Sequence, residues 1–181
     1  MQLYAKEGHI QSPECFISYA WGDSAHESWV ERSLATDLRK AGLRVLLDRW
    51  DNVRIGASVH RFVERIATAD KVLVVGTPAY RKKYSSKSPM GRYVVASEGD
   101  LIGKRLISSS EGNESALPLL LAGTEETSFP PLLQGRVYAD FRDPEAYFAT
   151  LFDVILSLYA ISVTDKSVAD SRESLRQEMK E

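Results

Sequence analysis

The chain has 181 residues and a formal net charge of −2, from 23 basic and 25 acidic side chains, with 44% apolar and 27% charged residues. That suits one soluble globular domain with a modest extension, and it excludes an overall field that would draw in nucleic acid or an anionic membrane. One cysteine and three scattered histidines exclude an internal disulfide and any Cys/His metal spacing, so Cys15 reads as a small core hydrophobe and no metal is expected.

Residues 1–12 carry no period and read as a lead-in. No stretch has the apolar core of a signal peptide or the length of a membrane span, which points to a cytosolic protein. Cys15–Tyr19 is an apolar run of strand length, broken at Trp21-Gly22-Asp23. Ser24-Ala25-His26-Glu27 then has the spacing of a capping box. The helix it opens sets Val30, Leu34, Leu38 and Ala41 on one face, and Gly42 stops it. Leu43–Leu47 is a second strand, and 48–58 a polar loop containing Asp48, Trp50, Asp51 and Gly56. Val59, Phe62, Val63, Ile66 and Ala67 recur at helical spacing. Lys71–Val75 is β-branched and almost purely apolar, as a strand covered on both faces should be.

Beyond Val75 the chain loosens into a long loop with room for one helical turn, where Arg81-Lys82-Lys83, Lys87 and Arg92 read as solvated surface. A helix is expected from Tyr93 to about Gly103, carrying Glu98 and Asp100. Leu117–Leu121 is a fourth strand, with Pro118 pointing to a strand start or bulge. Val137–Phe141 is a fifth, at an edge. Asp143-Pro144-Glu145 opens the last helix, whose apolar face is Tyr147, Phe148, Leu151, Val154, Ile155 and Leu158. Buried at about 25 cal/mol per Å2, that face docks the helix firmly. Residues 162–181 are polar and read as an exposed tail or a linker.

Strand and helix alternating in this way describe an α/β fold: a doubly wound, flavodoxin-like, five-stranded parallel sheet. Strand order 2-1-3-4-5 is the expectation, with a ligand crevice where the winding reverses between strands one and three. Tyr19–Asp23, Asp48–Gly56 and Thr77–Glu98 flank that crevice. Trp21 and Trp50 with Asp48, Asp51 and Glu98 suit a stacked, hydroxyl-bearing ligand such as a nucleotide. Dinucleotide-fold and P-loop glycine motifs are absent, as is a nucleophile elbow, so dehydrogenase, P-loop and esterase chemistry fall away.

Phe16-Ile17-Ser18-Tyr19, Leu47-Asp48-Arg49-Trp50-Asp51 leading to Gly56, Val72–Val75 with Thr77-Pro78-Ala79-Tyr80, and Leu133–Asp140 follow one another in a telling order. Together they resemble a Toll/interleukin-1 receptor (TIR) domain of the bacterial, SEFIR-like branch, over about 13–161. The resemblance implies one of two roles. Many such domains are nucleosidases that cleave NAD+, as substrate and without a resident cofactor, between nicotinamide and ribose. Others are non-enzymatic scaffolds that associate with one another.

In the enzymes a glutamate on the helix after the third strand is required, and Glu98 matches it. Those enzymes often carry an aromatic one turn earlier, where this chain has Val94 beside Tyr93, and Asp100 is the alternative acid. On this reading Tyr19, Trp21 and Trp50 pack on the dinucleotide, and Asp48 and Gly56 shape the loop after strand two. Nicotinamide leaves as a neutral pyridine and needs no general acid, so a single carboxylate suffices. The expected role is an effector of a prokaryotic defence or cell-death system, switched on by self-assembly. A sensor, fused or separate, is expected as partner, with no membrane and no direct nucleic acid.

Overall fold

Strand β1, Glu14–Ser18, has a parallel neighbour on each side: β2, Arg44–Leu46, and β3, Lys71–Gly76. β4, Ala116–Leu120, and β5, Ala139–Asp140, complete a five-stranded parallel sheet in the order β2-β1-β3-β4-β5. The computed structural model describes residues 12–51, 64–65, 67–85, 115–162, 168–172 and 174.

Ser24–Ser28, Trp29–Ala35 and Thr36–Lys40 run on as one helix, α1, whose middle stretch is π-wound. A helical turn, α2, spans Asp48–Asp51, and α3 spans Pro78–Ser85. The short α4, Glu125–Ser128, a 3-10 turn at Pro131–Leu133 and α5, Tyr147–Leu158, follow.

Successive side chains of a strand point to opposite faces, and here both faces are covered. Cys15, Ile17 and Tyr19 pack with Leu73, Val75 and Leu119 against Val30, Leu34 and Leu38 of α1 and Leu151, Val154 and Leu158 of α5. Phe16, Leu46, Val72, Val74 and Leu120 pack on the other side with Tyr80, Phe129 and Leu133. Each such side chain, fully buried, contributes about 1.5–3 kcal/mol, which is why the strands read as near-continuous apolar runs. Cys15 is wholly buried and free, and its burial pushes the thiol from 9.0 up to about 12.

Several local expectations shift. Asp23, not Ser24, caps α1: its Oδ1 accepts from the N–H groups of Ala25 and His26, each at 3.0 Å. Glu27 is thereby free of the capping box and reaches other partners. At the far end Gly42 N–H bonds Arg39 O at 3.0 Å and Leu43 N–H bonds Leu38 O at 3.1 Å, with Gly42 at φ +91°, the left-handed stop its position calls for. The loop after β2 begins as a helical turn. β5 is two residues long and runs only beside Leu119 and Leu120, so on that flank Pro118 has no ladder bond to lose. This is how a proline sits inside β4 without a bulge.

α5 begins at Tyr147, after a turn in which Asp143 Oδ1 accepts from Glu145 N–H at 3.0 Å. In the segment beyond 161, residues 168–172 are helical, Val168 is buried, and Arg172 Nη2 meets Asp153 Oδ2 of α5 at 2.6 Å. This part of the segment lies against α5. The helix expected over 93–103 and most of that over 59–67 fall outside the described residues.

Candidate functional site

The chain leaves β1 at the point where the winding reverses, because its two neighbours are β2 on one side and β3 on the other. Ser18, the last residue of β1, is level with Val74 of β3. Its hydroxyl shares a 2.9 Å hydrogen bond with the Tyr80 hydroxyl of α3, and both residues are buried. Tyr80 is held in turn by its N–H, which donates to Thr77 Oγ1 at 3.1 Å. This closes the floor between the β1 and β3 exits with a satisfied polar pair.

Tyr19 and Trp21 follow directly at the β1 exit. Tyr19 is 5% exposed and Trp21 48%, with ring centroids 6.5 Å apart and planes tilted by 30°. Gly22, at φ +110°, turns the chain into the Asp23 cap. The Tyr19 hydroxyl is buried and has no hydrogen-bond partner among the described residues. Burial first, then the negative charge of Glu31, push its ionisation well above the ordinary range, with Arg49 pulling the other way. At neutral pH it is therefore a hydrogen-bonding group and not an acid.

The α2 turn lies alongside. Asp48 begins it, and its charge is felt at the Tyr19 phenol. Arg49 lies with its guanidinium 5.5 Å from the centre of the Trp21 ring and pairs with Glu27 at 2.9 Å and Glu31 at 2.6 Å. Trp50 is instead covered by the guanidinium of Arg39, 5.0 Å from its ring, and packs partly buried on the core between the sheet and helices α1 and α5.

Of the residues singled out in the sequence, the structure thus brings together Tyr19, Trp21 and the turn that starts at Asp48. It sets Trp50 under Arg39. Gly56, Glu98 and the alternative acid Asp100 lie outside the described residues. Arg49, Glu27, Glu31 and the Ser18–Tyr80 pair were not singled out as site residues. The one local signal for the glutamates is their i, i+4 spacing on a helix face; nothing local points to the arginine 18 positions beyond Glu31. Among the described residues no group of three His, Cys, Asp or Glu side chains is placed to hold a metal ion, and no helix is long and apolar enough to cross a membrane.

The family model for the TIR domain matches residues 15–153. The chain belongs to the TIR domain family. All five strands of this TIR domain, save Glu14, lie inside the matched span. Its structure is similar to the crystal structure of a prokaryotic SEFIR domain, at 26% identity and a TM-score of 0.63, over 81% of this chain and 99% of that one. It also shares its fold with the TIR domain of the Toll-related receptor TRR-2 from Hydra magnipapillata, at 19% identity and a TM-score of 0.55, over 80% of this chain and 96% of that one. No curated protein matches the sequence.

Proposed function

We propose that this TIR domain is an NAD+ nucleosidase, acting as an effector in a prokaryotic defence or cell-death system and switched on when copies assemble. The observation that carries this reading is the ring pair at the β1 exit. There an exposed indole stands beside a buried tyrosine hydroxyl that has no partner among the described residues. A flat aromatic ring would stack on the exposed Trp21 indole. A nicotinamide or adenine nucleoside has that chemistry.

In the reaction the bond between ribose C1′ and the nicotinamide nitrogen breaks. Its electron pair goes to the ring, which leaves neutral. Water adds at C1′ and gives its proton to solvent, so no general acid is required. Glu98 takes the role of the carboxylate that holds the ribose hydroxyls and stabilises the positive charge developing on the sugar. The product is ADP-ribose, or a cyclic isomer when a nucleophile on the dinucleotide itself outcompetes water.

The test is nicotinamide release by the purified chain, alone and under forced clustering, with Glu98→Ala as the paired variant. Release that is lost in Glu98→Ala supports the proposal. Silence of the clustered wild-type chain refutes it and favours a second reading, a non-enzymatic scaffold that works through contacts between TIR domains. The likeness to a prokaryotic SEFIR domain supports that reading.

A further inference from the structure

Leu156 is 4% exposed, yet it belongs to neither packed side of the sheet. At about 100° per residue it stands on the side of α5 opposite Leu151, Val154 and Leu158, which face the core. An apolar side chain on the outer face of a helix is buried only when something lies over it. Val168 is 8% exposed and likewise belongs to neither packed side.

An ion pair joins the two segments that carry these residues: Arg172 Nη2 meets Asp153 Oδ2 at 2.6 Å. Asp153 and Leu156 are neighbours on α5 at i, i+3, and Val168 and Arg172 are neighbours at i, i+4 on the helical stretch 168–172. A contact between one member of each couple brings the other two members together. The backbone at the end of α5 fits this return. Ala160, at φ +53°, is the one non-glycine with positive φ among the described residues, and Ile161 N–H donates to Leu156 O at 2.9 Å. That is the left-handed stop that glycine usually takes, adopted here by an alanine at some steric cost.

The ion pair is too open to hold the segment by itself, since its side chains keep 31% and 38% of their surface in solvent. Nor is a helical stretch of this length stable in water on its own. Apolar burial therefore carries the docking, and the ion pair sets its register.

We propose that Val168 covers Leu156, which makes 168–172 a fixed clasp on the outer face of α5. The clasp is an integral part of the domain beyond the span 15–153 matched by the family model, in place of a free tail from 162 onward. The outer face of α5 is thus occupied by the chain itself, and the chain beyond 172 leaves from a fixed point beside Asp153.

Amide hydrogen exchange on the full chain tests it. Residues 168–172 should exchange slower than an unstructured peptide of the same sequence, by about tenfold or more. Val168→Asp places a charge against Leu156; it should return the segment to the peptide rate and lower the melting temperature by about 2 °C or more. Leu156→Ala, a change on the other element, should speed exchange in 168–172 as well, and Arg172→Gln should do so by less. The clasp is overturned if the wild-type segment exchanges at the peptide rate, or if Val168→Asp leaves both its exchange and the melting temperature unchanged. It is overturned equally if Leu156→Ala, in a chain that still melts cooperatively, leaves 168–172 as protected as before. Nicotinamide release plays no part in these outcomes, so the clasp and the proposed function stand or fall separately.

Discussion

Gly76→Ala is a small change with a large expected effect, because the end of β3 has no room for a methyl group. A Cβ built on Gly76 would lie 2.3 Å from Phe129 Cε1, 2.7 Å from Cδ1 and 3.0 Å from Cζ. Ordinary contact begins near 3.4 Å, so the ring or the strand must yield by about 1 Å. Phe129 has no exposed surface and its ring is 5.8 Å from that of Tyr138, so the ring has little freedom to retreat. Overpacking of this kind costs about 1–3 kcal/mol. For a chain of this size each kcal/mol lowers the melting temperature by about 2–4 °C. The strand end also leads directly to Thr77 and Tyr80, so any yielding there loosens the Ser18–Tyr80 bond on the crevice floor.

The assay is urea unfolding of wild type, Gly76→Ala, Phe129→Leu and the double variant. Phe129→Leu makes the space that Gly76→Ala needs, so the double variant should be no less stable than Phe129→Leu alone, giving a coupling of about 1–3 kcal/mol. Simple additivity of the two losses, or a Gly76→Ala variant as stable as wild type, would refute the packing argument.

Two further outcomes follow from the same structure. Asp23→Ala should lower the melting temperature by about 2–4 °C while Ser24→Ala leaves it nearly unchanged, because only Asp23 accepts from the first-turn amides; equal effects would restore Ser24 as the cap. Alkaline pH should destabilise the fold from about pH 9, because the thiol of buried Cys15 stays protonated in the folded chain up to about 12 while the unfolded chain releases its proton near 9.0. The unfolded state then holds fewer protons, so stability falls as pH rises, by about 1.4 kcal/mol per pH unit from this group alone. Tyr19 and Tyr147, both raised by burial, add to the loss above their ordinary value of 10.0. Urea midpoints between pH 8 and 10 should fall less steeply in Cys15→Ala; parallel curves would sink the assignment.

The fold was readable because its signals are local. The apolar run Cys15–Tyr19, three-and-four spacing through Val30, Leu34 and Leu38, and the stop at Gly42 each report burial or a backbone angle set by neighbours in the chain. Errors fell where two residues compete for one local job. Asp23 displaced Ser24 as cap because the turn at Gly22 presents its carboxylate to the first amides. Part of the candidate site was legible too: Tyr19 and Trp21 follow an apolar strand and so stand at its exit. Trp50 was harder, since whether it faces the crevice or the core depends on how tightly the α2 turn is wound, and Arg39 claims its ring face.

Sequence alone determined the sheet order, because apolar strands joined by amphipathic helices bury both faces in few ways, and right-handed crossovers leave fewer still. Only the folded chain decided which charges meet. Arg49 reaches Glu27 and Glu31 across separations that no period encodes, and Ser18 meets Tyr80 from 62 residues away. Burial is a property of a residue's type and can be read from a pattern. A hydrogen bond or ion pair needs two atoms within about 3 Å, and that closeness exists only once the turns have landed.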